Sequence, residues 1–394
     1  MSAGKAVIGQ SGGPTAVINR SLVGFIKESL NQNFDEILGA KHGLEGMLSE
    51  DFVDLSSLSE SQLYGIGKSP AAALGSVRKK PTESDIEKLI SIFEKQNIRN
   101  FYYIGGNDSS DSLRIISEYA DDIKYKLQCI HIPKTIDNDL VCNDHTPGFG
   151  SAAKYVAQLF SGINYDVKSL PGVYLGIVMG RHAGFLTASS ALLKKHNSDG
   201  PHLIYLPEFA FSTQSFLKNI KQVFNKYGRC VIAVSEGIQN KNKKLVSQEI
   251  SKTQEYDAHG NIQLSGSGSL GDFLANKIKS KLKLSRVRAD TLGYPQRSFL
   301  GSTSEVDQKE AFEIGKFAVK KSREVNYSFS AGIKEREKLS SPYRVSYKIN
   351  SLKEVAGKTK VMSKKFYNYK QNFITKEFIN YALPLIGGRK INTK

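Results

Sequence analysis

Cys129-Ile130-His131-Ile132-Pro133-Lys134-Thr135-Ile136-Asp137-Asn138-Asp139 joins an apolar run to a lysine, a hydroxyl and two carboxylates. The first four residues have the β-branched character of a buried parallel strand, and Pro133, which has no N–H to donate, closes its hydrogen bonding. The polar cluster therefore falls at the carboxyl end of a strand, where open α/β sheets take their ligands. Asp137 and Asp139 flank Asn138, so in an extended or loosely turned segment one can take a proton while the other holds a cation. Lys134 adds positive charge beside them. Together these are the parts of a phosphoryl-transfer centre; the plainer alternative is a solvated Asx-rich turn, because Asp and Asn are ordinary turn formers.

The same unit recurs outward from this stretch. Ala6-Val7-Ile8-Gly9 reads as a strand running into Gln10-Ser11-Gly12-Gly13-Pro14-Thr15, with Val17, Leu22, Val23, Ile26 and Leu30 near helical spacing beyond it. Pro14 suits a first helical turn, and two adjacent glycines let backbone amides approach an anion or simply make a tight turn. Glu36 to Ala40 is a further strand, and Leu74-Gly75-Ser76-Val77-Arg78-Lys79-Lys80 fits either a phosphate clamp or a charged loop. Ser84 to Phe93 has a one-faced apolar pattern and reads as a packing helix. Phe101-Tyr102-Tyr103-Ile104 leads into Gly105-Gly106-Asn107-Asp108-Ser109-Ser110, a glycine turn carrying a carboxylate. A carboxylate there repels phosphate unless a metal intervenes or something is meant to be excluded.

In the second half, the strand Val173 to Val178 ends in Met179-Gly180-Arg181-His182-Ala183-Gly184, and Cys230 to Val234 ends in Ser235-Glu236-Gly237. Between them His202 to Leu206 is another strand. Gln239 to Ser269 is polar and glycine-rich, the pattern of a surface excursion, and Arg286 to Arg297 offers three arginines and a tyrosine. Strands alternating with helices, each strand ending in a polar or glycine turn, predict an α/β chain of two doubly wound, mainly parallel-sheet (Rossmann-like) domains with the active site in the cleft between them.

At 394 residues, 40% hydrophobic and 24% charged, the chain is long enough for two cores. It has no apolar run of membrane-spanning length and no signal-peptide core at its start, so a cytoplasmic location and no membrane partner are expected. Cys129, Cys142 and Cys230 are too scattered for a disulfide framework or a zinc site and are assigned to packing. The net charge of +17 suits anionic ligands from small phosphates to nucleic acid. Beyond about residue 315, Lys and Arg outnumber acidic residues by roughly four to one, which reads as a solvated basic tail rather than a nucleic-acid surface.

Taken in order, Gly12-Gly13, Leu74 to Arg78, Gly105 to Ser109, Pro133 to Asp139, Met179-Gly180-Arg181 and Leu292 to Arg297 resemble the phosphofructokinase family from the start of the chain to about residue 320. The resemblance implies a glycolytic phosphotransferase in which Asp137 takes the proton from the 1-hydroxyl of fructose 6-phosphate and Thr135 positions the reacting groups. It places Asp139, and Asn107 where many members carry a metal-binding aspartate, near Mg2+. Gly12, Gly13, Arg78, Gly106, Asp108 and Lys134 would surround the phosphoryl donor, with Lys134 and Asp108 taking part in catalysis. Met179, Gly180, Arg181 and Glu236 would hold the sugar; Arg288, Tyr294 and Arg297 its 6-phosphate. The resemblance further implies residues 1–138 as the donor-binding domain, completed by part of 255–305, and 139–254 with 306–394 as the sugar-phosphate-binding domain.

ATP-using members commonly have glycine where this chain has Asp108, whereas diphosphate users are similar to it at Asp108 and Lys134. A carboxylate there occupies the space and charge of a nucleotide's α-phosphate. The expected donor is therefore diphosphate, with the ATP-dependent enzyme and a non-catalytic regulatory relative as alternatives. Gly172 stands where many bacterial members place an arginine that reaches across a subunit interface, seven residues before Met179. Its loss favours a homodimer over the tetramer.

Overall fold

The computed structural model describes residues 4–250, 268–337, 339 and 342–388, and in it the β-branched runs become strands whose carboxyl ends converge. The first sheet holds β1 (Lys5–Gln10), β2 (Ile37–Ala40), β3 (Phe52–Asp54), β4 (Ile98–Gly105), β5 (Gln128–Pro133), and, far along the chain, β10 (Phe329–Ile333) and β11 (Tyr347–Asn350). Its order is β11-β10-β5-β4-β1-β2-β3, parallel except for the two edge strands, β3 and β11, which pair antiparallel. The second sheet holds β6 (Val173–Val178), β7 (Leu203–Tyr205), β8 (Cys230–Ser235) and β9 (Val287–Thr291) in the order β7-β8-β6-β9, all parallel. Every residue of β6 and of β8 is buried, as expected of parallel strands covered on both faces.

In the first sheet the chain leaves β1 toward β2 on one side and returns to β4 on the other. That reversal opens a crevice at the carboxyl ends of β1 and β4, where Gly12-Gly13 and Gly106-Asn107-Asp108 follow their strands. Behind the sheet, the helix Glu305–Glu324 lies against the helix Ile18–Ser29 at backbone contact distance. A Cβ on Gly24 would stand 2.1 Å from the Phe312 carbonyl oxygen, and one on Gly315 would stand 2.2 Å from that of Ser21.

Three expectations are corrected. The helix after Gly12-Gly13 begins at Ile18, so Pro14 lies in the preceding loop rather than in a first helical turn. The domain boundaries differ as well. β9 extends the second sheet beside β6 instead of completing the first, while the helix Glu305–Glu324, β10 and β11 belong with the first sheet. The stretch 255–267 lies outside the described residues. The basic region, finally, is not simply a tail. Its lysines at 353, 358, 364, 365 and 370 are exposed, but Phe366, Tyr367, Phe378, Tyr381, Leu385 and Ile386 are buried in the core that contains Phe149, Phe185 and Ile204.

Of the polar stretch 239–269, the described part forms a bridge between Gln239 and Leu245 and a short helix, Val246–Ile250; 251–267 lies outside the described residues. Cys129 and Cys230 are buried and Cys142 is partly buried, all as free thiols. No helix among the described residues is long and apolar enough to cross a membrane.

Candidate active site

A cavity of about 590 Å³ opens between the two sheets and is lined by loops from both. From the first come Gly12, Gly13, Arg78, Gly106, Asn107, Asp108, Lys134, Thr135, Asp137 and Asp139; from the second come Met179, Arg181, Glu236, Tyr294 and Arg297. Residues scattered over nearly 300 positions thus meet because, Arg78 apart, each lies in a loop after a strand whose carboxyl end faces the crevice.

The loop after β5 is a turn rather than an extended segment. Asn138 takes a left-handed φ of 59°, and the Thr135 hydroxyl accepts the Asp137 N–H at 3.1 Å. With Asn138 buried and its side chain donating to the Tyr381 hydroxyl at 2.7 Å, the two neighbouring carboxylates both reach the cavity. Burial raises the Asp137 carboxyl above its ordinary range against the pull of Arg297 and Arg181. Asp139 is pushed up to about 7 by burial and by the nearby Asp137. A carboxylate whose affinity for a proton is raised in this way is a better general base near neutral pH than a solvated one.

Opposite them stands a group of cations. Lys134 is 3% exposed, and its ammonium donates to the Gly13 carbonyl at 2.8 Å. Burial, followed by the positive charges of Arg297 and Arg78, holds it down to about 7. An anion placed among these groups would favour their charged forms. Gly12, at φ 74°, holds a turn that other residues rarely adopt; a Cβ there would come 3.2 Å from Lys134 Nζ, and one on Gly13 would come 3.1 Å from the Arg297 guanidinium carbon, so a side chain at either position would crowd these cations. Arg78 is carried into the cavity because its loop is tied to Gly12, through Gly12 N–H to the Val77 carbonyl at 3.0 Å and the Ser76 hydroxyl to the Gly12 carbonyl at 2.7 Å. Lys79 and Lys80 point elsewhere, pairing with Asp85 and Asp111.

Asn107 and Asp108 open the helix Asn107–Asp122, so Asp108 presents an exposed carboxylate at a helix amino terminus on the cavity wall. The Asn107 amide donates to Asp139 Oδ2 at 3.2 Å, while its own Oδ1 is buried and takes no hydrogen bond. On the wall formed by the second sheet, Gln296 locks two loops together, accepting the Met179 N–H at 3.3 Å and donating to the Gly293 carbonyl at 2.7 Å. Arg297 stacks over the Tyr294 ring, 4.8 Å from its centroid.

Two expected residues are placed differently. Gly180 does not line the cavity; it lies beneath it, its N–H donating to Glu236 Oε1 at 3.4 Å and its carbonyl accepting from Ser235 at 2.6 Å. Arg288 is exposed on the edge strand β9, alternating with buried Val287, and donates to the Val287 carbonyl at 3.1 Å rather than facing the cavity. Gly172 is explained by its surroundings, since a Cβ there would stand 2.8 Å from the Arg286 carbonyl oxygen, leaving no space for an arginine. Among the cavity-lining residues not expected from the sequence are His182, Gly357 and Thr359. His182 stood in plain view beside Arg181, but nothing in Gly357-Lys358-Thr359 distinguishes it from a basic surface loop.

The phosphofructokinase family model matches residues 5–321. A pyrophosphate--fructose 6-phosphate 1-phosphotransferase from Rhodospirillum rubrum is 49% identical over 388 residues, covering 98% of this chain and 95% of its own. One from Xanthomonas campestris pv. campestris is 36% identical, covering 98% and 93%. The crystal structure of a pyrophosphate-dependent phosphofructokinase from Nitrosospira multiformis superposes with a TM-score of 0.86 at 31% identity, covering 98% of this chain and 92% of the other.

Proposed function

Because the chain belongs to the phosphofructokinase family, we propose that it transfers a phosphoryl group from diphosphate to the 1-hydroxyl of fructose 6-phosphate, giving fructose 1,6-bisphosphate and phosphate. The observation that carries this reading is that Asp108 and Lys134 share one cavity with the two-carboxylate loop.

Asp137 takes the proton from the sugar 1-hydroxyl, and Thr135, by accepting the Asp137 N–H, fixes where that carboxylate points. Met179, Arg181 and Glu236 hold the sugar; Tyr294 and Arg297 hold its 6-phosphate. The Arg297 fork suits a phosphate, which a point charge would orient less well. Diphosphate lies against Gly12, Gly13 and Gly106, with Arg78 and Lys134 neutralising the charge that gathers on the departing phosphate. Phosphoryl transfer asks a protein mainly for alignment and charge neutralisation, and these groups provide both.

The donor set fits Mg2+. Asp139 would supply an anionic oxygen, and the neighbouring Asn107, whose Oδ1 is buried and takes no hydrogen bond, would supply a neutral one. Among the described residues no group of three or more His, Cys, Asp or Glu could hold a metal alone, so donor phosphate oxygens would complete the coordination. When bound, the ion supplies further neutralisation of phosphate charge. A homodimer in the cytoplasm is part of this reading, and the exposed Phe299 and Leu300, which follow Tyr294 in the chain, support self-association. Arg288, exposed on β9, then has no role within the single chain's cavity.

Diphosphate and the sugar bisphosphate differ little in phosphoryl-transfer potential, so the enzyme runs in both directions. Supplied with fructose 1,6-bisphosphate, orthophosphate and Mg2+, it forms fructose 6-phosphate and diphosphate in equal amounts, and EDTA stops the reaction. Release of fructose 6-phosphate without diphosphate would mean hydrolysis and would overturn the proposal.

A further inference from the structure

The segment Gly357 to Met362 lies beyond the end of the family match at residue 321, yet it runs through the active site. Thr359 forms an antiparallel bridge with Leu140, and the Lys360 N–H donates to the Asp139 carbonyl at 2.7 Å. The Lys360 ammonium reaches over the catalytic turn and donates to Asn138 Oδ1 at 3.2 Å and to the carbonyls of Asn143 and Asp144, each at 3.0 Å. It also stands 5.1 Å from the centroid of the Phe185 ring. Two residues further on, the Met362 N–H donates to Glu208 Oε1 at 2.9 Å; the same oxygen accepts the Gly184 N–H at 2.9 Å, at the end of the loop that carries Met179 and Arg181.

We propose that Lys360 is a positioning residue for the reaction, holding the Asn138–Asp139 turn so that Asp137 and Asp139 face the cavity, within a strap that joins this turn to the sugar loop through Glu208. The inference rests on the phosphotransferase reading above. The geometry gives the lysine work that a merely solvated cation would not have. Asn138 sits at a left-handed φ, which costs a non-glycine residue energy unless its surroundings hold it there. The side-chain partners of Asn138 are Tyr381 and Lys360, both from the region after residue 350. Without the ammonium, Asn138 Oδ1 loses the donor that ties it to the carbonyls of Asn143 and Asp144, and the turn is free to relax. Lys360 does not itself line the cavity, so its loss disturbs alignment in the transition state more than binding.

The test compares wild type with Lys360→Met, which keeps the length and removes both charge and donor, and with Lys360→Gln, which keeps an uncharged donor and guards against a misfolded first variant. Steady-state rates with diphosphate, fructose 6-phosphate and Mg2+ are measured for the full chain. In Lys360→Met, kcat falls on the order of 10²-fold while KM for fructose 6-phosphate stays within about threefold, because a misplacement of about 1 Å costs that much rate. Lys360→Gln falls less, with the same division between kcat and KM. A folded variant of either kind with kcat within about threefold of wild type would overturn the inference. So would a loss shared equally by kcat and sugar affinity, which marks general disruption of the cleft. Absence of turnover in the wild type would instead overturn the phosphotransferase reading, and this inference would fall with it.

Discussion

Asp137→Asn is expected to lower kcat by about 10³-fold while fructose 6-phosphate still binds, because asparagine keeps the shape of the side chain and cannot take a proton. The turn does not depend on that carboxylate. Its left-handed residue is Asn138, held by Tyr381 and Lys360, and the Thr135 hydroxyl engages the main-chain N–H of residue 137. Sugar contacts assigned to Met179, Arg181, Glu236, Tyr294 and Arg297 come from the other sheet and remain in place. The loss therefore appears in kcat, as expected of a group needed when the hydroxyl proton moves. Equilibrium binding of fructose 6-phosphate by calorimetry, beside single-turnover rates, separates the two effects. A variant retaining a tenth or more of wild-type kcat would show that Asp137 is not the base.

Asp108→Gly is expected to raise kcat/KM for ATP by on the order of 10²-fold, since removing a carboxylate opposed to a phosphate relieves a like-charge contact that costs several kcal/mol. The side chain stands exposed on the cavity wall beside Gly106, so its removal opens space and takes away negative charge together. Fold stability should suffer little. The position lies in the first turn of the helix Asn107–Asp122, where the substitution loses a favourable acid–dipole contact and a slightly better helix former, a combined cost of about 1 kcal/mol. Diphosphate turnover should persist, because Arg78, Lys134 and the glycines that face it are untouched. Initial rates over a range of ATP concentrations measure the change, and an unaltered donor preference would remove the exclusion argument.

Parallel strands buried on both faces declare themselves as continuous apolar runs, which is why β1, β4, β5, β6 and β8 are legible in the sequence. β9 to β11 are not. In β9, Arg288 and Asp290 are exposed, so the strand reads as a charged loop; β10 contains Ser330 and Gly332, and β11 is an edge strand with only partial burial. Missing these strands displaced the domain boundaries, because β9 and β10 mark where the chain leaves one sheet and rejoins the other.

The site was legible where its chemistry is concentrated in short loops after strands, as at Lys134 to Asp139. It was less legible where the direction of a side chain decides its use. Residues 286–297 offer several cations, but the alternation of Val287 and Arg288 turns Arg288 outward while the turn at Gly293 brings Arg297 in. Lys360 shows the other limit. Its neighbours at 358, 364 and 365 are exposed, and only the packing of Phe366, Phe378 and Tyr381 brings one lysine of that run onto the catalytic turn.

The central claim is that this cavity takes diphosphate rather than a nucleotide as donor. The most direct measurement is the initial rate of fructose 1,6-bisphosphate formation with Mg2+, diphosphate and ATP being compared in one preparation at saturating fructose 6-phosphate. The account predicts kcat/KM for diphosphate at least about 10²-fold above that for ATP; turnover with ATP equal to or above that with diphosphate would contradict it.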